Sequence, residues 1–385
     1  MSLRGKAAIT GYGETAFEKN SGKNIFQLAA EASVHAIKDA NLEKSDIDGI
    51  ITLGPLSIDA RLNLPFAEFL GIKATLVDEV SVLGASAGYA LKKAAEAIAV
   101  GAAKNVLVVG SDINILKERS NEIRPFLQDY ETPYALTPNN AYAMAANLHS
   151  ELYGTTFEQR AKVAVDQRYN ANHYDGALFG KKTMSIEDVR NSPIISSPFH
   201  LFEIVSPCDG AIAFIVSLGE DARKITNTPV FIDGAGFYNG HLTISQSEIF
   251  TNGVTTPIKK AAEIAFEMAG ITTDNVDVLG LYDCYTIAVI LTIEDMGFCR
   301  KGEGGRFVQE HDLTFKGDFP VNTSGGQLSV GQPGDAGAMV NIVEVVKQLM
   351  GRAEGRQVKN CEIGVTNSNG GYFSTECTLV LRRGN

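Results

Sequence analysis

Residues 84–88 read GASAG, and the run that follows, YALKKAAEAIA, has the periodicity of an amphipathic helix. A glycine-rich segment that leads into a helix can bind phosphate, hold a nucleophile, or let two backbones pack closely. Ser86 supplies its only hydroxyl. A serine hydroxyl attacks a carbonyl only with a base beside it. Because no histidine is near in the sequence, we expect Ser86 to cap the helix or support the turn.

Cysteine thiols are the other candidates for nucleophilic chemistry. The chain has five, at Cys208, Cys284, Cys299, Cys361 and Cys377. Their odd number and wide spacing predict neither a disulfide framework nor a CxxC metal site. Scattered thiols are typical of a cytoplasmic protein, so we expect a cytoplasmic location and no bound metal.

Composition excludes several classes of protein. The 385 residues, 44% hydrophobic and 21% charged, predict a globular protein with room for two domains. A net charge of -11 without any Lys/Arg run argues against a nucleic-acid binder. We expect no membrane span and no signal peptide, because no apolar run is long enough. Small metabolites or other proteins are the expected partners.

The elements that position these residues alternate between strand and helix. AAITGYG, a helix near 25–41 and GIITLG form one strand-helix-strand unit; PVFIDGAGF, TTPIKKAAEIAFEMAG and VDVLGLYD form another. Each half closes in the same way, with a glycine-rich entry, a helix and a buried strand. The pattern predicts a duplicated α/β chain, although any α/β protein shows such units.

A polar and aromatic segment interrupts the first half. Residues of about 115–205 show helical patterns but little strand signal, and we interpret them as an insertion that lies over the sheet as a lid. The stretch EDARKITNTP then reads as a boundary. We therefore expect an N-terminal half over 1–225 and a C-terminal half over 226–385.

Four motifs resemble thiolases, above all the sterol-carrier-protein and lipid-transfer-protein branch. They are VNTSGGQLSVGQPGDAGAMVNIVEVVKQLMGRAEGRQV, YDCYTIAVILTIEDMGFCRKGEGGRFV, SPCDGAIAFIV and the GASAG helix with VLVVGSD. The resemblance implies a thiolase fold of two βαβαβαββ halves in five αβαβα layers, with two central helices. It also implies a homodimer that acts on acyl-CoA at a carbon-carbon bond next to the acyl carbonyl.

The resemblance also shows what this chain lacks. Gly84 stands where thiolases carry the nucleophilic cysteine, at a helix N-terminus that lowers the pKa of a thiol. Gln332 stands where the GHP motif carries the activating histidine, and an amide cannot act as a base. With both groups missing, we do not expect thiolysis through a covalent acyl-enzyme.

Three residues of the YDCY motif remain as candidates for catalysis beside Gln332. Tyr282 replaces a histidine that contributes to an oxyanion hole; it could donate to an enolate oxygen or simply pack at a strand end. Cys284 is expected to support the site rather than attack. Asp283 could orient a neighbour or cap the helix that begins near Thr286.

Loop residues complete the predicted site. The final thiolase cysteine has no counterpart, because Asn367 or Ser368 stands there, while Cys208, Cys299, Cys361 and Cys377 are expected to be structural. The residues expected to bind substrate are Gly84, Ser86, Ser324, Gly325, Gly370 and Gly371.

The sequence favours a non-covalent, retro-aldol cleavage of an acyl-CoA, with no cofactor beyond the coenzyme A of the substrate. Lipid-transfer-protein aldolases work this way with a small zinc-ribbon and OB-fold partner, although they carry a tyrosine near the position of Gln332. One alternative is a non-catalytic acyl-CoA-binding or scaffold subunit of a thiolase complex. A second is a genuine acetyl-CoA acyltransferase.

Overall fold

The computed structural model describes residues 2–57, 62–114 and 136–384. The part of the predicted insertion at 115–135 lies outside the described residues. The helices are α1 (Ile25–Asp39), α2 (Asn63–Leu70), α3 (Ser86–Ala99), α4 (Pro138–Tyr153), α5 (Phe157–Ala171), α6 (Ile186–Asn191), α7 (Ala222–Ile225), α8 (Ile258–Ala269), α9 (Thr286–Asp295), α10 (Gly304–Glu310), α11 (Gly326–Val330) and α12 (Gly337–Met350).

The described residues form eleven strands, which are β1 (Ala7–Glu14), β2 (Gly49–Leu53), β3 (Leu76–Val80), β4 (Asn105–Asp112), β5 (Ile194–Ser196), β6 (Phe199–His200), β7 (Gly210–Leu218), β8 (Val230–Asn239), β9 (Val278–Leu281), β10 (Ile363–Gly370) and β11 (Thr375–Arg383). Nine of these strands form one mixed sheet in the order β3-β2-β4-β7-β1-β8-β11-β10-β9. β5 and β6 form a separate two-stranded sheet.

The pairing of strands confirms the predicted duplication. In the first half, β2 is parallel to β3 and β4, and β7 is antiparallel to β4 and β1. In the second half, β9 is parallel to β10, and β11 is antiparallel to β10 and β8. Val321 forms an isolated parallel bridge to Leu279 of β9. It lies beside β9 in the position that β3 has beside β2 in the first half. The first strands of the two halves, β1 and β8, also pair with each other, so their strands form one continuous sheet.

Two central helices lie between the halves. α3 contacts β2 and β4 of the first half, β10 and β11 of the second, and α12. Every residue of α12 is buried. α1 covers β1 and β7 on the other face, and α8 covers β8 and β11. These helices and strands build the predicted thiolase layers, with the amino ends of α3 and α12 inside the molecule.

Equivalent glycines seat the outer helices. A Cβ at Gly11 or Gly13 of β1 would overlap the backbone of α1, and a Cβ at Gly234 or Gly236 of β8 would overlap that of α8. Only glycine permits so close an approach between strand and helix. The paired GxG motifs are therefore a signature of the duplication.

The described part of the insertion adds helices rather than strands to the main body. α4 and α5 pack against helices of the second half, α9, α10 and α11, and not into the nine-stranded sheet. Within the described ranges, no helix is both long and apolar enough to cross a bilayer. The division at residue 225 falls between α7 and β8, and we keep it as a proposal.

Candidate active site

The chain's turns bring four separated segments to one place. Gly84 precedes α3, Tyr282 follows β9, Gln332 lies between α11 and α12, and Asn369 lies near the end of β10. β9 and β10 are parallel, so their carboxyl ends lie on the same side of the sheet. Ligands of α/β proteins commonly bind at such an edge.

Gly84 has no space for a side chain. A Cβ built on it would overlap the carbonyl oxygen of Asn369 and would lie 2.6 Å from Oη and 2.8 Å from Cζ of Tyr282. Real Cβ atoms do not come this close to other heavy atoms. The phenol of Tyr282 therefore occupies the volume that a cysteine side chain at position 84 would need.

Gln332 contacts this phenol directly. Its Nε2 donates to Oη of Tyr282 at 3.0 Å. The backbone of Gln332 is fixed by two hydrogen bonds, because its N–H donates to Ser206 O and its carbonyl accepts from Cys208 N. The structure thus brings together the predicted residues Gly84, Tyr282 and Gln332.

The Tyr282 hydroxyl keeps its proton at neutral pH. Burial raises the pKa of Tyr282 well above its ordinary value, and the hydrogen bond from Gln332 lowers it only in part. Since Gln332 donates to a lone pair of the oxygen, the O–H of Tyr282 is available as a donor. A neutral buried phenol of this kind can stabilise an oxygen on which negative charge develops.

Ser86 is engaged in the turn before α3. Its hydroxyl donates to Leu83 O at 2.6 Å and accepts from Val82 N at 2.9 Å. Leu83 has a positive φ of 55°, which the hydroxyl bond helps to hold. The supporting role expected of Ser86 is what these bonds provide, and its binding of substrate stays a prediction.

Asp283 caps a helix other than the expected one. The N-cap residue of α9 is Tyr285, and no side chain caps it. Asp283 instead accepts from the N–H groups of Gln327 and Leu328 at the start of α11, at 3.0 and 3.1 Å, and from Nδ2 of Asn341 at 2.9 Å. Of the two roles that the sequence left open for Asp283, the cap near Thr286 is not formed, and the bond from Asn341 orients a neighbouring side chain.

The glycine-rich loops differ in what they contact. Gly325 has a φ of 104°, and a Cβ there would lie 2.5 Å from that of Ala171 in α5, so this loop packs against the insertion. The hydroxyl of Ser324 is buried without a partner among the described residues. Gly370 packs on the turn at Val82, and the carbonyl of Gly371 accepts from the Tyr142 hydroxyl at 3.2 Å.

Comparisons with known proteins agree with this fold. A family model described as thiolase C-terminal domain-like matches residues 236–383. An acetyl-CoA acetyltransferase of Methanothermobacter thermautotrophicus is 32% identical over 98% of this chain and 99% of that protein. This chain belongs to the thiolase superfamily. A 17-hydroxy-3-oxo-4-pregnene-20-carboxyl-CoA lyase of Mycobacterium tuberculosis is 31% identical over 91% of this chain and 92% of that protein.

Among solved structures, an aldolase is similar in fold to this thiolase superfamily member. The chain superposes on a chain of the Ltp2-ChsH2(DUF35) aldolase with a TM-score of 0.89 and 29% identity, covering 99% of this chain and 98% of that one. Human mitochondrial 3-ketoacyl-CoA thiolase in complex with CoA has a TM-score of 0.73 at 14% identity, which shows the shared fold alone.

The sequence did not indicate three residues at the edge of this thiolase-like site, which are Tyr142, Asn369 and Glu376. Tyr142 of α4 contacts Cys284 and accepts from Nδ2 of Asn369 at 3.1 Å. Glu376 of β11 pairs with Asn369 in register. An acid inside the apolar strand TECTLVL was a readable signal for Glu376, whereas nothing local distinguished Tyr142.

Cys284 is not placed to be a nucleophile. Its thiol is buried, and burial raises its pKa far above the ordinary range, with the hydrogen bond to Tyr142 opposing this in part. Cys208 is buried as well, and desolvation raises its pKa to about 12. A buried neutral thiol is inert, which fits the supporting role expected of Cys284.

Replacing Asp283 with asparagine tests the cap. At pH 8, above the pKa of about 6 to which burial raises this carboxyl, the new amide group would face two backbone N–H groups. We expect the free energy of unfolding in urea to fall by about 1–3 kcal/mol. Asp221→Asn, at an exposed Lys224 pair, should change it by less than about 0.5 kcal/mol. Equal losses in the two variants would contradict this role for Asp283.

Proposed function

We propose that this chain cleaves the carbon-carbon bond of a β-hydroxyacyl-CoA by a retro-aldol step, without a covalent acyl-enzyme. The observation that carries the proposal is the position of the Tyr282 phenol, which fills the volume of the missing nucleophile, accepts from Gln332 and donates its O–H to no acceptor among the residues that the structure describes. The relatives named as a CoA lyase and a steroid side-chain-cleaving aldolase, both 31% identical, support it.

The proposed reaction needs no nucleophile and no cofactor. The proton of the β-hydroxyl passes to water, the Cα–Cβ bond breaks, and its electron pair passes to the thioester as an enolate. A proton then returns to Cα, which gives a shorter acyl-CoA and an aldehyde or ketone with no net change in redox state or protons. Catalysis therefore depends on stabilising the enolate oxygen, and Tyr282 supplies a preorganised donor for it.

Gln332 fits this chemistry better than it fits thiolysis. An amide cannot remove a proton from a thiol, but its N–H on Oη makes the phenol a stronger donor and fixes its direction. The acetyltransferases among the relatives share the fold with this chain. At positions 84 and 332, however, its residues provide neither nucleophile nor base.

We also propose a homodimer and a small zinc-ribbon and OB-fold partner. The partner protein is supported by the structurally similar Ltp2-ChsH2(DUF35) aldolase, because that name joins two proteins, Ltp2 and ChsH2.

The homodimer is supported by an exposed sheet edge, since β3 is an edge strand of the nine-stranded sheet. The adjacent α2 exposes Leu64 and Phe69. Edge strands with nearby apolar side chains commonly pair with a second chain.

The function is tested with two substrates. The purified chain, alone and with a candidate partner, is incubated with β-hydroxyacyl-CoAs of several chain types, and separately with acetoacetyl-CoA plus CoA. We expect carbonyl product and shortened acyl-CoA from the first and no thiolysis of the second. Rapid thiolysis by the isolated chain would refute the proposal, and binding without turnover in every case would favour the scaffold alternative. Light scattering on the same samples measures the molar mass in solution and so tests the proposed homodimer.

A further inference from the structure

Tyr142 reaches the proposed site from the insertion. It is buried in α4 and stacks on Tyr285 with ring centroids 4.4 Å apart, and it packs against Phe373 at 4.7 Å. Its hydroxyl contacts the thiol of Cys284 and lies beside Asn369. The backbone oxygen of Asn369 is the atom that a Cβ at Gly84 would overlap. Tyr142 also interacts electrostatically with Tyr282, so the two phenols lie near each other.

The hydrogen bonds of Tyr142 leave its own proton exchangeable. Asn369 Nδ2 donates to the phenol oxygen at 3.1 Å, which occupies one lone pair. The hydroxyl also makes a hydrogen bond with the thiol of Cys284, and its O–H donates to the carbonyl of Gly371 at 3.2 Å. This distance is long for an O–H donor, whose bonds usually measure about 2.7–2.8 Å. A ligand oxygen placed here can therefore take over the donor from Gly371.

Asn369 is held by only one end of its amide. Its Oδ1 is buried and has no partner among the described residues. Glu376 is directly opposite on β11, and the Cβ atoms of such a pair lie about 4.5–5.5 Å apart. Oε1 of Glu376 is likewise buried without a partner in the described ranges. Two acceptors would repel each other here, whereas a protonated carboxyl would donate to the amide oxygen, directly or through one water.

The hydrogen bond from Asn367 to Glu376 determines which oxygen of the Glu376 carboxyl can carry a proton. Asn367 Nδ2 donates to Oε2 of Glu376 at 2.9 Å, and Thr378 donates to Oδ1 of Asn367 at 2.8 Å, so the direction of the Asn367 amide is set. Oε2 of Glu376 must accept, and Oε1 is the atom that can carry a proton.

The other buried glutamates that the structure describes have cationic partners. Glu203 pairs with Arg160, Glu344 with Arg356, and Glu294 with Lys301. Among the residues that the structure describes, no cation pairs with Glu376. A buried carboxylate without a cation is costly, and neutralisation by a proton removes that cost.

Electrostatics agree with a neutral carboxyl. Burial raises the pKa of Glu376 well above its ordinary value, the bond from Asn367 lowers it, and the charge of Asp295 at the end of α9 raises it further. The other titratable groups in its electrostatic reach are Tyr142 of α4, Cys284 before α9 and Cys377, its neighbour on β11. α8, which packs on β11, presents buried alanines.

We propose that Tyr142 is a second substrate-contacting phenol, which donates to the oxygen on the β-carbon, and that Asn369 and a protonated Glu376 are the positioning residues that hold it as a donor. This inference rests on the proposed function. Glu376 O–H bonds Asn369 Oδ1, Asn369 Nδ2–H bonds Tyr142 Oη, and Tyr142 O–H exchanges its bond to Gly371 for one to the substrate. The two phenols then hold the two oxygens on either side of the bond that breaks.

Tyr142→Phe tests the donor, because it keeps the ring stacking and removes only the hydroxyl. With a β-hydroxyacyl-CoA that the wild type cleaves, we expect kcat to fall about 100-fold with little change in KM. Tyr153→Phe is the matched control on the same helix, where the hydroxyl bonds Gly253 outside the site. A Tyr142→Phe variant as active as Tyr153→Phe would overturn the role of Tyr142.

Two variants of Glu376, compared with the wild type, separate a neutral donor from an ionised base. Glu376→Met removes all hydrogen bonding, and we expect kcat to fall at least about tenfold. Glu376→Gln can still accept from Asn367 and donate to Asn369, so it should rescue most of the loss seen in Glu376→Met. The wild type should lose activity as the pH rises and Glu376 ionises, and this limb should be missing in Glu376→Gln. A Gln variant as poor as Glu376→Met would overturn the proposal.

Two readouts without turnover separate this inference from the proposed function. Infrared difference spectroscopy should show the carbonyl band of a protonated carboxylic acid in the wild type and not in Glu376→Gln. The native state holds this proton more tightly than the unfolded state, so the melting temperature of the wild type should fall relative to Glu376→Gln as the pH rises. If the enzyme cleaves substrate but shows neither signal, the inference fails and the function stands. If both signals appear without cleavage, the proposed function fails and the substrate contact of Tyr142 fails with it, whereas the protonated Glu376 and its bond to Asn369 stand.

Discussion

Tyr282→Phe is expected to lower kcat for β-hydroxyacyl-CoA cleavage by about 100- to 1,000-fold, which is the usual cost of removing one preorganised donor to an oxyanion. The ring of phenylalanine still fills the volume beside Gly84, so the fold and the affinity for acyl-CoA should be retained. The loss should lie in kcat rather than KM, because the bond strengthens only as the enolate forms. Steady-state kinetics with a circular dichroism melt measures both.

Tyr89→Phe is the matched control for this loss. Tyr89 lies on α3 close to Gly84 in sequence and stacks on Phe237 with ring centroids 4.1 Å apart. Its replacement removes only the hydroxyl of a half-buried ring that keeps its stacking, so kcat should stay within about twofold, which corresponds to less than about 0.5 kcal/mol. A Tyr282→Phe variant with wild-type kcat would show that the phenol only packs at the strand end, which is the other role that the sequence left open.

Gly84→Cys, which puts the thiol back where thiolases carry it, is expected to destabilise the protein without creating a thiolase. Its Cβ would overlap the Asn369 carbonyl and lie 2.6 Å from Oη of Tyr282. Forced overpacking of a buried site costs about 1–3 kcal/mol and sometimes more, and we expect a loss near the upper end. Urea denaturation measures it, and acetoacetyl-CoA thiolysis should stay absent because Gln332 is no base.

Gly88→Ala, on the same helix, is the control that shows how much of the stability loss is specific to position 84. A Cβ at Gly88 would lie 3.0 Å from Ser368 Oγ and 3.1 Å from Cys377, which is tight but not an overlap. We therefore expect Gly88→Ala to lose clearly less stability than Gly84→Ala, which isolates the added methyl group at each position. An equal or smaller loss at Gly84 would show that the site has space for a nucleophile.

The sequence predicts the elements and the duplication well because both depend on local patterns. Strand and helix periodicity identified α1, α3, α8 and α12 and the strands around them. The paired GYG and DGAG motifs, which seat α1 and α8, carried a further signal of duplication that periodicity alone does not show. Resemblance supplied the thiolase fold, which the comparisons confirm.

Contacts between distant segments were not predictable in the same way. The sequence shows that position 84 lacks a cysteine, but the overlap with Tyr282 depends on how β9 ends against the turn before α3. The sequence offered Asp283 either a role in orienting a neighbour or a cap on the next helix, and the structure shows that it caps α11, far along the chain. Tyr142 reaches the site from the insertion, where no local pattern distinguishes a buried tyrosine that contacts a substrate from one that only packs.

The central claim is that this chain uses a thiolase fold without an acyl-enzyme, and intact-mass spectrometry during turnover tests it most directly. The purified protein is mixed with excess β-hydroxyacyl-CoA, quenched at intervals, and weighed while the carbonyl product is measured in the same samples. We expect the product to accumulate while the protein mass stays unchanged. A protein that gains the mass of an acyl group during turnover, with the adduct mapped to Cys284 or another thiol, would contradict the account.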